Sequence, residues 1–541
     1  MTKPPKCAAR LADYSLAEVA RRANKSRKCF RCPTGRNILH FLDWRWFCLK
    51  PINVGGHAAY QTNLISRLKQ YYPDAFTRFG PSLWDTIGKF FSMDLAKIDV
   101  LMYDRYSIFG PQPRLPSDMV RSFMLSLVMK KTSFTSWSEE LKTNPLAAII
   151  SGFHPDDTPG VGTFYDFCDR LWMYGKDNLS DHAQPPKIRK IEKPKNLDDK
   201  APPVEDITVE DLIPILEKNP LSDDQPYARL FQIFHEVFLK HSSDLGLVDL
   251  DNLVLSGDGT EVVTSARNRY RKLCKCTDRN CSCNRWYSQP DTDCGYDSSR
   301  HKFYYGYDLY MMTAADSIND LPVFPLLNRA SMHDSFGLCY TYHAMKAFLK
   351  ESNVTEVLLD SAHDVMAIYQ FCQKNSITAI IDLNERGGVN FKYKDTYSVG
   401  KDGIPMCQAG LKMIRDGYEK ARMRYKFRCP NVYHCDGIHC DYTCSDSPYG
   451  LVVHVPTKEN PRIFTVPARD SKEWKLEYNK RTSSERCNKR EKFDYQLENG
   501  RHQSTKMWYC RLYCIMMCQH LDAWGSAGST TSLKEYFAQA A

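Results

Sequence analysis

Residues 251–263 read DNLVLSGDGTEVV, and residues 354–364 read VTEVLLDSAHD. Each is a short apolar run closed by an aspartate. Leu253–Ser256 reads as a strand that ends at a turn-like Gly257-Asp258-Gly259, and Glu356–Asp360 reads as a second, buried strand. In α/β sheets, ligands gather at the C-terminal ends of strands, which makes Asp258 and Asp360 candidate site residues. An aspartate in such a place is also an ordinary turn former or helix cap, and Asp360 is placed to cap the helix after it.

Around these two runs the pattern alternates. Ile207–His241 reads as helix. Tyr304–Ala314 and Val323–Leu327 read as strands, His343–Glu351 as helix, Val365–Lys374 as helix and Ile377–Leu383 as strand. Such alternation predicts an α/β domain with a mixed or parallel sheet over 207–387. Residues 388–469 turn polar and β-rich, with YKFRC, GLVVHV and RIFTV as strand candidates, and read as an insertion. Helical patterns resume over 470–541, one of them Ser504–Trp524, where Met507–Leu521 suits a core or dimer-forming helix. Upstream, 183–206 is a Pro-rich, charged linker. Residues 111–182 read as short helices capped near Ser117, Ser133, Asn144 and Gly160, as either a helix-turn-helix DNA reader or a packing domain. Residues 1–110 carry a basic start and the aromatic patch HFLDWRWF, for which DNA binding is the expectation.

The totals set limits. The chain has 541 residues, 43% of them hydrophobic, which is ordinary globular composition with chain enough for several domains. Its 73 Lys and Arg against 64 Asp and Glu leave a net charge of +9, a mild bias toward polyanions. No run approaches the ~18 apolar residues of a membrane span, and the first residues have no apolar signal region. A soluble, cytoplasmic protein with no membrane partner is expected. Twenty-one cysteines without an export signal point to reduced thiols or metal ligation in place of disulfides.

The third acid comes from residues 473–492, EWKLEYNKRTSSERCNKREK. Tyr478, Arg481, Glu485 and Lys492 stand three, four and seven apart, so at about 100° per residue they share one helix face. Trp474 and Lys489 fall on or near the same stripe. An acid between two cations, with a phenol and an indole, suits a metal-bound phosphodiester: the carboxylate on the metal, the cations on phosphates. The plainer alternative is a solvated face of i,i+4 charge pairs, which leaves the tyrosine unexplained.

The spacing Tyr-x2-Arg-x3-Glu-x6-Lys, unbroken from Tyr478 to Lys492, resembles the YREK signature of DDE transposases of the insertion-sequence-4 family. The aspartates in LSGDGTEV and LLDSAHD resemble that family's first two acids, in the right order, and the β-rich stretch resembles its strand insertion. The resemblance spans about 250–510 and implies an RNase H-like core with a β-rich insertion before the last acid, preceded by a helical N-terminal region. It implies that Asp258, Asp360 and Glu485 hold two Mg²⁺ (or Mn²⁺) ions, that Tyr478, Arg481, Lys492, Lys489 and Trp474 contact DNA, and that the enzyme cuts transposon ends and joins their 3′-hydroxyls to target DNA. Partners would be double-stranded transposon ends and target DNA, bound by a homodimer in the bacterial nucleoid. A domesticated copy that binds DNA without cutting it, and a stand-alone nuclease on the same fold, are the alternatives.

Two cysteine groups stand apart: Cys274, Cys276, Cys281 and Cys283, and Cys429, Cys435, Cys440 and Cys444. Four soft ligands in polar surroundings suit structural Zn²⁺, although neither group has the spacing of paired CxxC knuckles. Free surface thiols are the alternative.

Overall fold

Side-chain caps start two of the N-terminal helices. The structure, a computed structural model, describes residues 55–107, 111–180, 207–266, 268–272, 285–297, 300–384, 391–394, 396–433, 440–528 and a few isolated positions. Nearly all of these belong to one unit, Asn53–Tyr106 with Pro113–Ala541. Residues 1–54 and the linker lie outside the described residues. Helices α1 (His57–Tyr71), α2 (Pro81–Ser92), α3 (Pro116–Val128), α4 (Phe134–Thr143), α5 (Pro145–Ser151) and α6 (Val161–Leu171) follow in order. Ser133 Oγ accepts the Ser136 N–H at the start of α4, and Asn144 Oδ1 accepts those of Leu146 and Ala147 at the start of α5. These are the caps the sequence suggests. At α3 the cap is imported: Asp99 accepts both the N–H and the hydroxyl of Ser117, at 2.7 and 3.0 Å. Side chains on every face of α3 are buried, so it serves as a core helix.

The helix expected over 207–241 is broken. A Thr208–Asp211 capping box starts α7 (Val209–Lys218). Helix returns only at Ala228, after NPLSDDQPY, whose two prolines and turn residues cannot continue it.

The central sheet contains β1 (Leu253–Val263), β4 (Asp293–Asp297), β5 (Lys302–Ala314), β6 (Leu321–Arg329), β7 (Val354–Leu359) and β8 (Thr378–Ile381). Between β1 and β4, β2 (Asn268–Lys272) and β3 (Arg285–Tyr287) pair only with each other. The order is β4-β5-β1-β7-β8, with β6 also on β5. Strands β1, β5 and β6 run antiparallel, while β7 and β8 run parallel to β1. Parallel neighbours need crossovers, here α8 (Asp334–Phe348) before β7 and α9 (Met366–Lys374) before β8. The fold is mixed α/β. One expectation is corrected: Gly257-Asp258-Gly259 is no turn, because β1 runs through it to Val263.

Residues 388–469 hold β9 (Phe391–Tyr393), β10 (Tyr397–Val399), β11 (Pro405–Met406), β12 (Ile414–Glu419), β13 (Arg424–Arg428) and β14 (Val452–Pro456) in two antiparallel three-stranded sheets. They close over their own core, which includes Tyr393, Val399, Phe427, Val455, Ile463 and Phe464. RIFTV forms turns, not strand: Asn460 Oδ1 accepts the Ile463 N–H, and the run delivers Ile463 and Phe464 to that core.

Then come α10 (Lys472–Asn479), α11 (Thr482–Lys489) and α12 (Thr505–Ser526). Helix α12 is buried nearly all round, from Thr505 to Leu521, against α3, α6 and β6. That makes it a core helix, with Cys510, Cys514 and Cys518 as core thiols. Each large apolar side chain so buried contributes about 1.5–3 kcal/mol. No described helix is long and apolar enough to cross a membrane.

Candidate active site

The site begins at the alternation of β1. Ser256 and Asp258 face α11, and Gly257 and Gly259 face the other way. A Cβ at Gly257 would lie 2.6 Å from Tyr310 Oη, and one at Gly259 would lie 2.5 Å from Asp334 Oδ1 and 2.8 Å from Asp308 Oδ1. Neither glycine has a positive φ. They are needed for close approach and not for a turn.

Asp258 accepts a hydrogen bond from Asn488 Nδ2 at 3.3 Å. Burial pushes its carboxyl up to about 7, aided by the charges of Asp334, Asp360 and Glu485 and opposed by His363. Asp360, at a strand end, and Glu485, on a helix, therefore both lie within electrostatic reach of Asp258 in mid-strand.

Asp360 follows β7. Its Oδ1 accepts the Ala362 N–H at 3.1 Å and contacts His363 Nδ1 at 2.6 Å. Burial alone would raise its pKa, but the His363 hydrogen bond and charge, the Ala362 N–H and Arg481 outweigh it and hold the carboxyl below its usual value. His363 is fully buried, and its Nε2 lies 2.8 Å from Tyr310 Oη. Four residues after Asp360, Asp364 takes both Arg462 Nε (2.8 Å) and Nη2 (2.6 Å) and the Asn384 N–H (2.7 Å). This ties both ends of the insertion to the segment after the second acid.

Glu485 is carried on α11, which β1 holds in place. Ser256 Oγ donates to the Arg481 carbonyl at 2.7 Å and lies 2.9 Å from Ser484 Oγ. Arg481 donates to Glu485 at 2.7 Å and sits 5.7 Å over the Tyr478 ring. The Glu485 side chain is 51% exposed, and Lys489 is exposed one turn on.

Two residues expected to front DNA from this face are buried. Trp474 is 7% exposed and packs on Val254, Ala315, Leu358 and Ile380, stacked against Tyr478 at 4.9 Å. It braces the sheet and does not front solvent. Lys492 is 8% exposed and bonds Glu261 Oε1 at 2.6 Å and the Glu261 carbonyl at 2.7 Å. The helical arc fails at Lys492 because the chain tightens at Lys480–Arg481, where Arg481 N–H bonds the Tyr478 carbonyl, and widens into a π turn over Arg490–Asp494.

Asp308, Asp334, His363, Tyr310 and Asn488 belong to the site although sequence reading passed over them. The signals available were a lone acid in the apolar strand YDLYMM and the polar SAHD after the second acid.

Among the described residues no three His, Cys, Asp or Glu side chains stand ready to hold a metal ion. The donor set nevertheless matches a hard divalent cation in type: carboxylates, with Asp258 destabilised as an anion by burial and then by Asp334, Asp360 and Glu485. Cys274, Cys276, Cys281, Cys283 and Cys435 lie outside the described residues. Cys429, Cys440 and Cys444 are free thiols; burial raises the Cys444 thiol, and the nearby Cys407, Cys440 and Cys429 add to that. No family model matches this chain, and no curated protein or solved structure matches it at a significant level.

Proposed function

We propose that the chain is a DNA transposase that cleaves transposon ends and joins their 3′-hydroxyls to target DNA. One observation carries the reading: β1, which bears Asp258, pairs in parallel with β7, which ends at Asp360, and is bonded through Ser256 to the Arg481 carbonyl at the start of the helix that bears Glu485, so three acids far apart in sequence come from adjoining elements. A mixed sheet with acids on β1, after β7 and on the helix that follows a β-rich insertion supports an RNase H-like catalytic core.

Asp258, Asp360 and Glu485 would hold two Mg²⁺ (or Mn²⁺) ions, which when bound supply activation of the attacking hydroxyl and neutralisation of the leaving 3′-oxygen. Asp360 is held ionised for that task. Arg481, swung from Glu485 onto a phosphate, Lys489 one turn away and the Tyr478 hydroxyl position the DNA backbone. The net charge of +9 favours approach to a polyanion. Pairing two ends calls for a homodimer on double-stranded DNA, in a nucleoid-associated cytoplasmic setting. Structural Zn²⁺ on the cysteines around Cys444 is part of the same proposal.

Glu485→Gln keeps the side-chain shape and removes the charge. It is expected to abolish Mg²⁺-dependent cutting of DNA that carries the gene's own flanks while leaving binding intact. Cutting by the variant would remove Glu485 from the site.

A further inference from the structure

Among the described residues His363 is the one buried imidazole that touches a site acid, and it is held on both sides. Ionised Asp360 can only accept, so the 2.6 Å contact is a hydrogen bond from His363 Nδ1–H to Oδ1. At the other ring nitrogen stands Tyr310 Oη, 2.8 Å from Nε2. The Tyr310 ring is itself locked: a Cβ at Gly257 would come within 2.6 Å of its hydroxyl, and one at Gly337 within 2.7 Å of Cδ2. Glycines on β1 and α8 thus admit the phenol, the phenol fixes the imidazole, and the imidazole fixes the carboxylate.

The consequence falls on the two oxygens of Asp360. Oδ1 already accepts from both Ala362 N–H and His363 Nδ1–H. We propose that His363 is a positioning residue which occupies Oδ1 so that Asp360 presents a single oxygen, Oδ2, to a divalent cation. Partners that orient a ligating side chain in this way usually govern metal affinity. One-oxygen ligation also matters for selectivity, because small octahedral Mg²⁺ and Mn²⁺ suit it, whereas larger Ca²⁺ readily takes both oxygens of a carboxylate. The inference rests on the proposed metal role of Asp360.

The test is calorimetric titration of the full chain with Mn²⁺ and with Ca²⁺. Its arms are wild type, His363→Ala, His363→Asn, Tyr310→Phe and Asp360→Asn. The expected result for His363→Ala is about 10- to 100-fold weaker Mn²⁺ binding with a lowered preference for Mn²⁺ over Ca²⁺. His363→Asn, whose amide N–H replaces the Nδ1 donor, should restore most of both. A merely structural histidine would shift the melting temperature and leave the selectivity alone. Should His363→Ala fail to fold, Tyr310→Phe carries the test, with several-fold weaker Mn²⁺ binding expected. Wild-type affinity and selectivity in the folded His363 and Tyr310 variants, with binding lost in Asp360→Asn, would overturn the positioning role and spare the site. Unaltered binding by Asp360→Asn would overturn both.

Discussion

Ser256 Oγ donates to the Arg481 carbonyl at 2.7 Å, across a sequence separation of 225 residues. That bond joins the strand of the first acid to the helix of the third, and it is buried on the strand side. Ser256→Ala should cost about 1–3 kcal/mol, because the Arg481 carbonyl and Ser484 hydroxyl lose a buried partner. Cutting should fall further than stability does, since Glu485 loses its register to Asp258. Thermal melts beside cleavage rates check this; a stability loss with unchanged cutting would deny Ser256 that role.

Gly259→Ala inserts a methyl group where Asp334 and Asp308 already reach the backbone. The expected cost is about 1–3 kcal/mol of overpacking. Chemical denaturation measures it. A neutral effect would mean that the two carboxylates move away freely.

Lys489 and Lys492 make a paired comparison. Lys489→Ala should weaken DNA binding and flatten its dependence on log salt by about one phosphate contact. Lys492→Ala should leave that slope alone and destabilise the fold by about 2–4 kcal/mol, because Glu261 loses a largely buried partner. Equal salt slopes for both variants would contradict this division.

Glu491 is fully buried. Burial pushes its carboxyl from 4.5 up to about 8, with Arg490 and hydrogen bonds from Gln519 and Cys487 opposing. Between those values the unfolded chain has lost the proton and the folded chain keeps it, so this contribution to stability falls as pH rises. It is complete below pH 4.5 and gone above about 8. Glu491→Gln should therefore melt higher than wild type at pH 8, and the gap should shrink toward pH 5. A gap independent of pH would show that the carboxyl is already ionised in the fold.

Local signals were legible where the physics is local. Ser133, Asn144 and Gly160 mark helix starts, β5 and β7 read directly as apolar runs, and Ser504–Trp524 reads as one helix. Gly257-Asp258-Gly259 misled because the same residues that make turns also permit close packing, and only Tyr310, Asp308 and Asp334 reveal which applies. Lys492 left the expected face because a 100° repeat does not survive a tightened turn and a π turn, whereas Trp474 keeps the stripe, stacked on Tyr478, at the end where that face meets the sheet. Asp334 gave no local signal, since it meets β1 at Gly259 only once α8 packs there, and His363, although it stands in the polar SAHD, finds Tyr310 only in the fold.

The proposed function has Asp258, Asp360 and Glu485 act as one site for cutting and joining DNA. It is tested by incubating the protein, Mg²⁺, labelled DNA ending in the gene's flanks and a target plasmid, then looking for covalent joining through 3′-hydroxyls. Joined product from wild type, and none from Asp258→Asn, Asp360→Asn or Glu485→Gln, is the predicted result. Cutting without joining would make the chain a nuclease, and tight binding with neither product would contradict a catalytic role for the three acids.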